Sequence, residues 1–237
     1  MTNYPITNEY DHPSLTFPAA QCGNTVPNAI VGRAVHETRY TWLVRLKKFG
    51  GDGLCVLVDS NWVLTAASFI ARDKNPSLWN VLVDNNPYGV DKFVVDISFR
   101  GEKHDIAMVK LDRGVAISEV SPACLPDYNE DFIGQTCIIF QRTETRNETT
   151  LVQVLDNVSC FRALDRQLER FELCAMVKGL DSCQSGETGP VMCQSRDRWV
   201  VVGVVHNNVT YCPDTPLLFT KVSYYLNWIQ KVKQLYT

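Results

Sequence analysis

From Ile30 onward the chain runs in short apolar stretches separated by turn-forming residues. Stretches rich in Val, Ile, Leu and aromatics fall at Trp42–Leu46, Leu54–Val58, Trp62–Thr65, Val81–Val83, Phe93–Ile97 and Ile106–Leu111. They continue at Thr136–Phe140, Thr150–Val154, Val191–Cys193, Trp199–Val205 and Leu218–Val222. Many short strands at this spacing predict an all-β sandwich or a pair of barrels. Two stretches read as helical. Residues 161–170 are polar with spaced apolar positions, and Tyr224–Leu235 places Tyr225, Trp228, Ile229 and Val232 on one face. No internal repeat or low-complexity tract is visible. Residues 1–29, rich in Pro, Asn and Thr, read as an extended leader ahead of a domain at 30–237.

Composition narrows the class. With 237 residues, 45% of them hydrophobic, the chain can bury a sizeable core. A formal net charge of −3 without a long basic run gives no support to a nucleic-acid or anionic-membrane role. The longest apolar run, Val200–Val205, is far too short to span a bilayer. Residues 1–20 lack the apolar stretch of a signal peptide, so a secretion signal is expected outside this sequence, or the chain is a piece of a longer one.

Nine cysteines are scattered along the chain without a close CxxC pair, and only four histidines accompany them. That pattern speaks for disulfides in an oxidising compartment and against a zinc site; neither a metal nor a cofactor is expected. Three N-x-S/T sequons, at Asn147, Asn157 and Asn208, agree with secretion. An odd count leaves at least one thiol outside any intramolecular scheme.

Ordered motifs then resemble the chymotrypsin/trypsin family of serine proteases from about Cys22 to the C-terminus. Ile30-Val31-Gly32 is similar to the start of the mature protease, and Asn61-Trp62-Val63-Leu64-Thr65-Ala66-Ala67 to the strand leading to the catalytic histidine. Asp105-Ile106-Ala107-Met108-Val109-Lys110-Leu111 resembles the segment carrying the triad aspartate, and Pro122-Ala123-Cys124-Leu125-Pro126 the tether-cysteine segment. Asp181-Ser182-Cys183-Gln184 and Gly189-Pro190 flank the nucleophile turn, and Val222–Ile229 resembles the closing helix. The resemblance implies two packed six-stranded antiparallel β-barrels, a C-terminal helix and a cleft between the barrels. It also implies the pairs Cys22–Cys124, Cys137–Cys193, Cys160–Cys174 and Cys183–Cys212, which leaves Cys55 over, most simply as a buried inert thiol. Such loops are each worth about 3–5 kcal/mol.

Amide hydrolysis in this family needs a hydroxyl nucleophile, an imidazole base, an orienting carboxylate and an oxyanion hole. Here the histidine position holds Ser68, which cannot act as a general base near neutral pH. The Gly-Asp-Ser-Gly-Gly-Pro turn reads Ser185-Gly186-Glu187-Thr188-Gly189-Pro190, placing Glu187 at the nucleophile. Asp105 stands at the triad aspartate with no imidazole to orient. Ser185 replaces an oxyanion-hole glycine, and Gly186 replaces the aspartate that receives the new α-amino group on activation. Ala29 precedes Ile30 where a basic residue would be cut. The disulfide that braces the histidine loop is replaced by Gly53 and Phe69, and the Gly-Trp-Gly after the first barrel by Phe140-Gln141-Arg142.

The specificity pocket is mixed. Asp181 matches the pocket-floor aspartate of enzymes that prefer Arg or Lys, but the substrate-facing Ser-Trp-Gly reads His206-Asn207-Asn208 and a pocket-wall glycine reads Leu217. Asp181 then reads as a relic in a blocked pocket, and a glycan on Asn208 would sit at the cleft mouth. The resemblance thus implies an inactive extracellular homologue: a cofactor, decoy or scaffold with a protein partner, such as an active protease or zymogen. Two rivals stay open. One is a hydrolase with a displaced nucleophile, Thr188 or Ser185 with His206; the other is a structural domain of a larger mosaic protein. A paired-carboxylate site from Asp105 and Glu187 has no further support in the sequence.

Overall fold

Period-two alternation builds two closed barrels from the same strand plan. The computed structural model describes residues 22–27, 38–118, 120–142, 147–179, 184–185, 187–205, 210–212 and 216–236. The first barrel holds β1 (Leu43–Lys48), β2 (Gly51–Asp59), β3 (Trp62–Thr65), β4 (Asn80–Val83), β5 (Asn86–Val95) and β6 (Ala107–Leu111). They close antiparallel in the order β1-β2-β3-β6-β5-β4. The second holds β7 (Thr136–Arg142), β8 (Asn147–Val154), β9 (Glu172–Lys178), β10 (Glu187–Ser195), β11 (Arg198–Val205) and β12 (Pro216–Lys221). Its order, β7-β8-β9-β12-β11-β10, repeats the plan of the first. The sequence shows no repeat because a barrel constrains only the alternation of apolar positions and not their identities.

Alternation decides which side chains fill a barrel and which join the two. On β2, Cys55 and Leu57 point into the first barrel with Val44, Leu46, Val63 and Trp79, while Leu54, Val56 and Val58 point out. Those outward residues meet Phe140, Met192 and Val201 of the second barrel in one continuous cluster. On β6, Ala107, Val109 and Leu111 face in and Met108 faces the other barrel. Both faces of these strands are therefore buried, which is why they read as near-continuous apolar runs. Close approach of the barrels uses a glycine: a Cβ at Gly189 would lie 3.0 Å from Leu54 Cβ and 3.1 Å from Phe140 Cβ.

Helices seal the remaining surfaces. A short α1 (Ala67–Ile70) follows β3, and a 3₁₀ turn at Val222–Tyr225 leads into α3 (Leu226–Leu235). Tyr225, Ile229 and Val232 are buried and Trp228 packs beside them, the face expected from their spacing. The helix expected at residues 161–170 is instead α2 (Asn157–Leu164). Asp156 accepts the Ser159 amide as an N-cap at 2.8 Å, and Asp165 ends the helix in the left-handed region at φ 53°. Strand β5 starts at Asn86, not Phe93, and β9 lies outside the expected strands. Strand β10 begins at Glu187, well before the expected Val191.

Three disulfides join Cys22 to Cys124, Cys137 to Cys193, and Cys160 to Cys174. Cys212 is also disulfide-bonded, and Cys183, its expected partner, lies outside the described residues. Among the described residues no helix is long and apolar enough to cross a membrane. Of the leader, residues 22–27 are described. Gly23 accepts its left-handed φ of 74° and sits where a Cβ would come within 2.7 Å of the Trp199 backbone. Val26–Pro27 then pairs with Thr38–Arg39.

Candidate functional site

The chain leaves β3 at Thr65 and enters β6 at Ala107, two residues paired in the ladder. That register brings Ser68, in the first turn of α1, beside Asp105, the second residue ahead of β6. Asp105 is 1% exposed, and both of its oxygens face Ser68. Oδ1 accepts the Ser68 backbone N–H at 2.6 Å and Oδ2 accepts the Ser68 hydroxyl at 2.6 Å. A buried carboxylate must be compensated by donors, and Ser68 supplies two from one residue. The hydroxyl is thereby turned toward the carboxylate as a donor.

The residue after Ser68 occupies the place of a brace. Phe69 lays its ring against Gly53 of β2, so closely that a Cβ at residue 53 would stand 2.7 Å from Phe69 Cε1 and 2.8 Å from Cε2. The same ring meets Trp79 edge-on at 5.5 Å. Aromatic packing thus links α1 to β2 where the resemblance would place a disulfide. Cys55, two residues along β2, is a buried thiol outside any disulfide, 3.2 Å from Thr65 Oγ1.

His104 precedes Asp105 and was not singled out by its sequence setting. It takes a left-handed φ of 54°, and its ring turns from Ser68 to stack on Phe171 at 3.8 Å. Its Nδ1 shares a 2.7 Å hydrogen bond with the Tyr225 hydroxyl. Burial, with Asp96, Tyr224, Asp105 and Glu172 adding, pushes the Tyr225 phenol far above its ordinary range, so it stays an O–H donor. Aromatic burial, not proton transfer with Ser68, fixes this imidazole. Only its place beside the aspartate motif could have drawn attention to it.

On the second barrel, Gln184–Ser185 forms a two-residue ladder with Thr210–Tyr211, and Glu187 and Thr188 open β10 opposite Arg142 and Gln141. The backbone at the position aligned with the nucleophile is therefore strand. Arg142 also reaches across to the first barrel, with its Nε 3.4 Å from Asp52 Oδ2, which Arg45 Nη1 approaches at 3.5 Å. Neither cross-barrel partner was visible in the sequence, since Asp52 and Arg142 meet only through the docking of β2 on β7. Leu217, on β12 opposite Ala175, is 3% exposed within the second barrel's core. Asp181, Gly186, His206, Asn207 and Asn208 lie outside the described residues. Of the sequons, Asn157 is exposed at the start of α2, and Asn147 opens β8.

A second ion pair ties the loops beside the cleft. Arg166 Nη1 and Nη2 donate to Glu172 Oε2 and Oε1, each at 2.9 Å, and the Glu169 amide donates to Oε2 at 2.9 Å. Lys103, in the loop that carries His104, lies 3.9 Å from Glu169. Burial pushes the Glu172 carboxyl up, but the Arg166 and Glu169 hydrogen bonds and the guanidinium charge outweigh it and hold it below the usual range. A carboxyl depressed on folding stabilises above its unfolded pKa, and the stabilisation is lost as pH falls through the folded value. Melting temperature should therefore fall more steeply below about pH 4.3 in the native protein than in Arg166→Ala. Thermal melts across that range, with equal slopes for both proteins, would contradict this.

Two six-stranded barrels, a buried aspartate ahead of β6, and a tether disulfide at Cys124 together give the resemblance its structural form. The family model described as trypsin matches residues 29–229, and the chain belongs to the trypsin family.

Proposed function

We propose that this trypsin-family domain is non-catalytic and acts outside the cell as a binding or regulatory module, a cofactor, decoy or scaffold for an active protease or zymogen. The observation that carries the reading is the Ser68–Asp105 pair. The carboxylate that orients an imidazole in the family instead holds a serine by two hydrogen bonds of 2.6 Å. Without a base the cleft has no means of taking a nucleophile's proton, and Glu187 at the aligned nucleophile position offers no hydroxyl to activate. Loss of one member of such a unit costs on the order of 10⁶ in rate, so retained function would be binding. The three disulfides and the sequon at exposed Asn157 support an oxidising, extracellular setting.

The test is labelling with a fluorophosphonate, which requires an activated hydroxyl. The native protein should take up no label at concentrations that saturate an active trypsin-family enzyme within minutes. Stoichiometric labelling at Thr188 or Ser185 would replace this reading with that of a hydrolase using a displaced nucleophile.

A further inference from the structure

The tip of the hairpin between β1 and β2 holds an aromatic ring wholly in water. The two strands stay paired up to Lys48 opposite Gly51, so Phe49 and Gly50 are the entire loop. Gly50 supplies the left-handed φ, 78°, that the second position of such a turn needs. Phe49 is 104% exposed and belongs to none of the three core clusters. Turn positions usually go to Gly, Pro, Asn, Asp or Ser, so a Phe here is not explained by the hairpin itself.

Cations surround that tip. Lys47 and Lys48 lead into it. Lys48 Nζ lies 3.5 Å from Asp73 Oδ2 and 4.8 Å from the centre of the Trp79 ring, which brings Arg72 and Lys74 alongside the hairpin. The carboxylates of this surface are already engaged. Asp73 holds Lys48, and Asp52, opposite Lys47 in the ladder, is approached by Arg45 at 3.5 Å and Arg142 at 3.4 Å. Asp84, on the turn whose Asn85 accepts from Arg45, is not free either. Lys47, Arg72 and Lys74 are exposed, and among the described residues none has a carboxylate within ion-pair distance. A chain of formal net charge −3 thus gathers three uncompensated cations beside its most exposed aromatic ring.

We infer that this hairpin tip docks an acidic segment of a partner protein that carries apolar side chains between its carboxylates. Phe49 packs on the apolar side chains, and Lys47, Arg72 and Lys74 meet the carboxylates. An aromatic anchor inside a charged rim is where binding energy concentrates in protein interfaces, and opposite charge steers the segment in. A sulfated polysaccharide would answer the cations but offers the ring little apolar surface. Anionic lipid headgroups face the cytoplasm, so a bilayer is disfavoured by the extracellular setting proposed above, on which the choice of a protein rests. Neither Ser68 nor Asp105 takes part, so docking here can fail while the cleft stays inert, and the reverse.

Fluorescence anisotropy of a fluorescein-labelled peptide rich in Glu and Leu, titrated with the full chain, tests it. Binding should be saturable at low ionic strength and weaken as salt is added. Phe49→Ser, and separately Lys47→Gln with Arg72→Gln and Lys74→Gln, should each raise Kd by roughly tenfold or more. Replacing every Glu of the peptide by Gln, or every Leu by Ser, should weaken binding as much. Lys231→Gln, on α3, should leave it unchanged, and equal melting temperatures would show that no loss comes from misfolding. Absence of saturable binding, or equal affinity across the variants, would overturn the proposal. So would a loss confined to the charge variants, or binding of heparin or phosphatidylserine vesicles in place of the peptide.

Discussion

Amide hydrolysis should not return when Ser68→His and Glu187→Ser are introduced together. The double variant would present the three triad residue types in the family's order, yet an Arg or Lys substrate should be turned over at least 10³-fold slower than by an active relative. The first reason is positional. An introduced imidazole must take over Asp105 Oδ2, now held by the far smaller Ser68 hydroxyl, and still reach the cleft, while Oδ1 keeps the backbone of residue 68 in place at 2.6 Å. Phe69 next to it is packed on Gly53 and Trp79, so α1 has little room to readjust. The second reason lies across the cleft. Ser185 pairs with Thr210 in a short ladder and Glu187 starts β10 opposite Arg142, a strand setting for the segment that must present oxyanion donors. One lost donor costs about 10²–10³ in rate, and a site 1 Å too loose loses as much again. Initial rates with an Arg amide substrate decide the matter. Turnover within tenfold of an active relative would mean the cleft is catalytically intact, and the binding-only reading would have to go.

The reach of the sequence follows from which interactions leave a local trace. Strands β2, β3, β6 and β11 are buried on both faces along most of their length and read as apolar runs because burial on each side leaves few polar positions. Strand β9 carries an apolar run too, Leu173–Val177, but its Cys, Ala and Met have little strand preference, and its first residue, Glu172, is satisfied by Arg166 and the Glu169 amide, partners that no window of sequence reveals. The front of β5, Asn-Pro-Tyr-Gly, reads as a turn, and it forms a strand only because β4 pairs with it from Val83 to Asn80. For α2 the periodic stretch was real but displaced; the signal that fixes its start is Asp156 with Ser159 three residues on, an N-cap pattern. At the site, the motifs placed Ser68 beside Asp105. What they could not supply was which atoms meet, or that His104 would turn to Tyr225 and Phe171.

Replacing Gly53 with Val should destabilise the fold by about 3 kcal/mol, the upper part of the range for overpacking a filled core. The added side chain collides with a ring, not with a flexible chain end. A Cβ alone would stand 2.7 Å from Phe69 Cε1, and the ring is held on its other side by Trp79. Because the cost arises from one neighbour, it should vanish when that neighbour is cut back. Phe69→Ala alone leaves a void beside Trp79 and should cost about 3 kcal/mol. In the double variant Gly53→Val/Phe69→Ala the new side chain fills part of that void. The two losses should then fall short of additivity by about 2 kcal/mol, as expected for residues in direct contact. Denaturant melts of the four proteins read this coupling directly. A coupling near zero would mean that the ring does not rest on Gly53 in solution, and that something other than this aromatic contact joins α1 to β2 in place of the missing disulfide.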